Sequence, residues 1–279
     1  MFKKILAALL CIATFCTISG CTAQEELESG VTTVPNEPAK QIEGNIGKVE
    51  LKSGDKYAVI SVKDYGDITI KLFPDAAPKG VEVFEKLVNE KFFDGKIFHR
   101  VMADFMAQAG AAEKDAEYEQ FTIETNYNMR HFYGALCYAN AMGKNSTQFY
   151  IVNNKKSQDV TEFSTSVMDN YITMYESAAK QYDKPSAEYK YYSYQANFYR
   201  NTKDSILNYT DEVIAKYKEV GGTPSLDGNY TVFGQTVDGF DVIDAIAAVE
   251  LVANDKMGGS EKSKPVKDII IEKIEIKTY

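Results

Sequence analysis

Short β-rich runs separated by turn chemistry, and broken once by a long stretch of another kind, constrain this chain more than any other feature. Tyr57 to Val62 and Ile68 to Phe73 are β-rich, and Asp64-Tyr65-Gly66-Asp67 between them favours a tight turn, so the pair reads as a hairpin. Pro78 sits where a helix can start, and Val81, Phe84, Leu87 and Val88 follow at helical spacing. Further strands are predicted at 97–101, 105–108, 135–139 and 148–152. After the break come a strand at 231–236, a helix over 240–248 and an alternating strand at 269–276. Many short strands with turn signals and only two helices predict a mainly β fold, a closed antiparallel barrel accompanied by two helices.

The break, residues 157–222, predicts an inserted α-helical subdomain. Val167, Tyr171, Met174 and Ala178 fall on one helical face; Ile206, Tyr209, Val213, Ile214 and Tyr217 form a second stripe, and Pro185 can open a helix between them. Ten of the nineteen tyrosines lie here. Tyrosine is amphipathic, so this composition suits a half-buried satellite bundle, and it equally suits a binding face.

The N-terminus predicts where the protein resides. Met1-Phe2-Lys3-Lys4 is a charged start, and the apolar run from Ile5 to Ile18 is too short to span a bilayer. Residues 1–20 therefore read as a signal peptide. Ile18-Ser19-Gly20-Cys21 resembles the bacterial lipobox, which makes Cys21 the expected lipidation site and the protein an extracytoplasmic one held to the bacterial cell membrane by lipid. Residues 21–46 read as a flexible tether, and 47–156 plus 223–279 as the barrel. Cys11 and Cys16 leave with the signal, so Cys137 has no partner for an intrachain disulfide and reads as a core residue. With two histidines and no Cys/His cluster, no metal site is expected. The net charge of −9 becomes −11 once Lys3 and Lys4 are removed, which disfavours nucleic acid as a partner.

Four ordered segments carry a resemblance. Ile68 to Phe84, Phe98-His99-Arg100-Val101 with Phe105-Met106-Ala107-Gln108, Tyr138-Ala139-Asn140-Ala141 with Gln148-Phe149-Tyr150-Ile151, and Leu226 to Gly234 together make the chain resemble the cyclophilins, over about 56–156 and 226–276. The resemblance implies an eight-stranded antiparallel barrel capped by the two helices and with an outer groove, prolyl cis-trans isomerase activity on proline-containing polypeptides, and no cofactor. It implies Arg100 as the catalytic group. Phe105, Met106, Tyr150 and Leu226 would line the proline pocket. Gln108 would orient arginine and substrate, Ala139 and Asn140 would align the substrate chain, and Gln148 and Tyr230 would complete the wall. His99 and His131 are assigned to structure.

The chain departs from the family pattern where Tyr230 replaces a frequent histidine, Tyr150 a phenylalanine and Ser225 a tryptophan. The last change implies weak cyclosporin binding. The loop from Ala111 to Tyr118 is shorter and more charged than the family's, and the one between Ala141 and Gln148 is one residue short. Two functions are therefore in view: an isomerase assisting secreted or surface proteins to fold, or a non-catalytic module whose helices recognise a client, a partner or a cell-wall polymer.

Overall fold

The computed structural model describes residues 42–114 and 117–279. The expected signal peptide, the lipidation site Cys21 and most of the expected tether lie outside the described residues. Eight strands follow one another across a single antiparallel sheet: β11 (Ile271–Thr278), β1 (Lys56–Val62), β2 (Gly66–Leu72), β8 (Val232–Asp238), β6 (Ala135–Ala141), β7 (Lys144–Val152), β4 (Met106–Ala109) and β3 (Arg100–Met102). A short β5 (Phe121–Thr122) joins β7 off this path, and β9 (Leu251–Ala253) pairs with β10 (Lys262–Pro265) in a separate hairpin.

The expectation of a closed barrel is corrected. β3 and β11 share no ladder, and the sheet curls into a half-barrel whose ends meet only through an isolated bridge between Ile97 and Ile270 and a few backbone bonds, such as Phe98 N to Ile269 O at 3.0 Å. The expected strand at 97–101 begins only at Arg100 because the chain before it makes this bridge instead.

Two helices plug the curl. α1 (Pro78–Asn89) starts on its proline and buries Val81, Phe84, Leu87 and Val88. Its capping position is Ala77, which offers no side-chain acceptor; the Glu124 carboxylate accepts from Lys79 N (3.0 Å) and Gly80 N (2.8 Å) instead. The second plug, which follows three further helices, is Phe240–Ala247; it buries Val242, Ile243 and Ile246.

Those three helices occupy 157–222: α2 (Thr165–Ala179), α3 (Ala187–Leu207) and α4 (Asp211–Val220), which makes Phe240–Ala247 α5. Ser186 caps α3 and Thr210 caps α4, each accepting from the backbone N–H three residues on. The stripe from Ile206 to Tyr217 is thus split between two helices at Asn208–Thr210. The α2 stripe is rotated from expectation: Val167 and Met174 are exposed, and Met168 and Ala179 are buried.

Strand alternation divides the apolar residues into two cores. Ala107, Ala109, Leu136, Tyr138, Phe149, Ile151 and Phe233 point into the curl, where Phe84 also packs. Met106, Ala135, Cys137, Tyr150, Val152 and Val232 point outward, so the outer face is apolar too. Met168 of α2 and Phe198 and Tyr199 of α3 cover it. A third cluster seats Val213 and Tyr217 of α4 on Phe132.

Residues 42–46, expected as the end of the tether, are packed. Asn45 is fully buried; its Nδ2 donates to Arg130 O (2.7 Å) and Gln235 Oε1 (3.0 Å), and its Oδ1 accepts from Arg130 N (2.8 Å). Lys216 of α4 donates to Asn45 O at 2.6 Å.

Candidate active site

Sheet register brings most of the expected site residues onto one face. Arg100 of β3 lies opposite Gln108 of β4, Gln108 opposite Tyr150 of β7, and Tyr150 opposite Cys137 of β6. These four form one row across the sheet, on the outward face. Met106 is two residues from Gln108 and shares that face. Phe105 precedes β4, and its backbone N–H is held by Asn153 Oδ1 at 2.8 Å.

Leu226 and Tyr230 come from the loop after α4. Gly222 starts that return: at φ 134° a side chain would be strained, and a Cβ there would lie 2.3 Å from His131 O. Gly228 brings the loop against α3, where a Cβ would lie 2.8 Å from Asn201 O. The Tyr230 ring stands edge-on to Tyr150 (6.0 Å, 80°) and to Phe198 of α3 (6.4 Å, 78°).

The polar residues are wired among themselves. Gln108 Nε2 donates to Gln148 Oε1 at 2.8 Å. Burial, followed by the nearby Lys256 and Arg100 charges, pushes the His99 pKa down to about 4, so the ring is neutral at neutral pH. Asn140 Nδ2 donates to Asn229 O (2.9 Å), while its Oδ1 accepts from Gly143 N (3.1 Å) and from the Tyr194 hydroxyl of α3 (3.3 Å). Ala139 is half-buried in the outer core.

Arg100 is held by a residue that the sequence reading did not single out. Its Nε donates to Glu261 Oε1 (2.8 Å) and its Nη2 to Glu261 Oε2 (2.9 Å), a bidentate pair; Nη2 also lies 3.2 Å from Met102 Sδ. Gln108, expected to orient this arginine, bonds Gln148 instead. Nothing in the local sequence marks Glu261, which lies 161 residues from Arg100 and just past the Gly258-Gly259 turn.

Beneath the pocket is a buried anionic hub. Asp227 Oδ1 accepts from His131 N (3.0 Å) and contacts His131 Nδ1 (2.6 Å); Oδ2 accepts from the hydroxyls of Tyr209 and Tyr217 (2.7 Å each). His131 in turn stacks on Tyr150 (6.3 Å, 14°). The hub therefore links α4 and its leading loop to the pocket floor. Cys137 is fully buried, and burial raises its thiol pKa well above the ordinary value, as suits a core residue.

Met106 and Leu226 are each 2% exposed, Tyr150 4% and Tyr230 6%, and they share one apolar cluster with Met168 of α2 and Phe198 and Tyr199 of α3. Phe105, Gln108, Ala139, Asn140 and Gln148 remain half-buried along the groove. Among the described residues, no group of three or more His, Cys, Asp or Glu is placed to hold a metal ion.

The family described as cyclophilin type peptidyl-prolyl cis-trans isomerase/CLD matches residues 57–276. A Staphylococcus epidermidis protein named as a peptidyl-prolyl cis-trans isomerase is 31% identical over 229 residues, 78% of this chain and 90% of that one. A Staphylococcus saprophyticus protein of the same name is 32% identical over 231 residues. A Streptococcus pyogenes protein named as a bifunctional phosphatase/peptidyl-prolyl cis-trans isomerase is 34% identical over 237 residues, and this chain spans 40% of its length. A Cryptosporidium parvum cyclophilin crystal structure aligns over 81% of this chain at 19% identity with a TM-score of 0.47.

Proposed function

The chain belongs to the cyclophilin-type peptidyl-prolyl cis-trans isomerases, and from that premise we propose that it catalyses rotation about X-Pro bonds in polypeptides outside the cytoplasm, held at the membrane through Cys21. The observation that carries the reading is the row Arg100-Gln108-Tyr150-Cys137, which puts the guanidinium on the same outward sheet face as the apolar cluster of Met106, Tyr150, Leu226 and Tyr230. A peptide bond resists rotation by about 18–20 kcal/mol because its C–N bond is partly double. In the twisted state the proline nitrogen regains its lone pair. An arginine N–H donated to that lone pair is worth more in the twisted state than in either planar one, so it lowers the barrier. The apolar hollow holds the pyrrolidine ring still while the acyl side turns, and the half-buried Asn140 and Gln148 align the flanking chain. The secreted or surface proteins emerging at the membrane are the substrates this location implies.

Burial of the pocket beneath α2 and α3 favours a second reading, in which the groove is occupied by the chain's own helices and the protein binds clients without turning them over. One assay separates the two: exchange of short X-Pro peptides, with Arg100→Ala as control. Acceleration that falls at least about tenfold in the variant, a loss of about 1.4 kcal/mol in transition-state stabilisation, supports the isomerase. No acceleration by the folded protein leaves the binding module.

A further inference from the structure

The arginine on which this mechanism turns is clamped from outside the sheet. Glu261 takes the Nε and Nη2 edge of Arg100 in a two-point contact, with the side chains only 7% and 13% exposed. A planar guanidinium bound along that edge has one plane and one direction left, and Nη1 on the far edge is the donor Glu261 does not engage. Glu261 is itself anchored. Its backbone carbonyl accepts from Asn254 N (2.8 Å), and Asn254 Nδ2 reaches both Ser263 Oγ (3.1 Å) and the carbonyl of His99 (3.4 Å), the residue before Arg100. The β9–β10 hairpin thus places a carboxylate against β3 through contacts that do not involve the groove. Burial alone would raise that carboxyl's pKa, but the bonds from Arg100 outweigh it, so it stays charged.

We propose that Glu261 is a positioning residue for the isomerase step: it fixes the Arg100 guanidinium so that the Nη1 edge donates to the twisting proline nitrogen. The proposal rests on Arg100 being that donor. Without the clamp the guanidinium samples several orientations, and misplacement of a stabilising donor costs turnover more than binding.

The test is a double-mutant cycle in the full chain, with kcat and KM separated by exchange NMR across peptide concentrations. Glu261→Ala is expected to lower kcat about tenfold with KM nearly unchanged. Glu261→Gln, which keeps one acceptor oxygen, should fall between that variant and the parent in kcat, measured at a temperature where circular dichroism shows the variant folded. In an Arg100→Ala background neither change should have further effect. If Glu261→Ala unfolds, Glu261→Gln carries the cycle alone. Unchanged kcat in the Glu261 variants while Arg100→Ala is crippled overturns the clamp and leaves the mechanism standing. Equal losses with and without Arg100 also overturn it. An Arg100→Ala protein as active as the parent removes the underlying reading instead.

Discussion

Asp227 shows how a single residue can join the pocket to the rest of the molecule. Burial pushes its carboxyl up, yet the bonds from His131 and Tyr209 and the Arg130 charge outweigh burial and hold it below the usual carboxylate range. Its folded pKa is therefore depressed. The stability it confers is fully present above the unfolded value of about 3.9 and is lost as pH falls through the folded one. Asp227→Asn is expected to cost about 3–5 kcal/mol, the scale of breaking a buried ion pair from one side, and to flatten the acid limb of stability measured by urea unfolding between pH 5 and pH 2. At the pocket rim, Ser225 puts a small half-buried side chain where a large indole contact would strengthen cyclosporin binding. Cyclosporin should inhibit only weakly, and nanomolar inhibition in the peptide assay would contradict this. Arg100, Met106 and Gln108 stand out in the sequence because they fall within a few positions of one another in a segment that resembles the family. Glu261 could not, since a bidentate partner 161 residues away has no local signature.

At the scale of elements, the proposed function makes α2 and α3 the helices that govern access to the groove. The Phe198 ring of α3 stands against Tyr230, and the Tyr194 hydroxyl of the same helix donates to Asn140 Oδ1. A substrate must displace these contacts, so apparent affinity is reduced by the fraction of molecules in which the roof is open. Phe198→Ala should raise kcat/KM towards peptides, by up to about tenfold if the roof is mostly closed; a fall in kcat/KM would instead make Phe198 part of the working pocket. The Thr210 cap belongs to this scale too. Thr210→Ala should cost about 1 kcal/mol, read as a lower midpoint in thermal unfolding. The helices themselves are legible from the stripes Val167 to Ala178 and Ile206 to Tyr217 and from Pro185 between them, but which face each one buries is not. Val167 and Met174 fit an apolar stripe and yet lie exposed, because the surface beneath α2 accepts Met168 and Ala179. Likewise one periodic run from Ile206 to Tyr217 conceals a cap, since Asn208 to Thr210 break the helix without breaking the period.

For the molecule as a whole, two apolar faces on one sheet mean that the strands and helices depend on each other. Removing 157–222 would bare Met106, Tyr150, Val152 and Val232 and strip the Tyr209 and Tyr217 hydroxyls from Asp227. The shortened chain should aggregate or bind the apolar dye ANS strongly; a soluble, cooperatively folding product would show that the helices are a dispensable arm. The sequence by itself determined the strand alternation, the two plugging helices and the helical nature of 157–222, because each is written in local periodicity. Only the tertiary structure decided that the sheet stays a half-barrel, that residues 42–46 pack against 126–131 and α4, that Glu261 grips Arg100, and that the helices lie over the groove. Each of these is a contact between distant segments. Its outcome depends on which apolar surface is left uncovered and which buried charge still needs a partner once the local elements have formed.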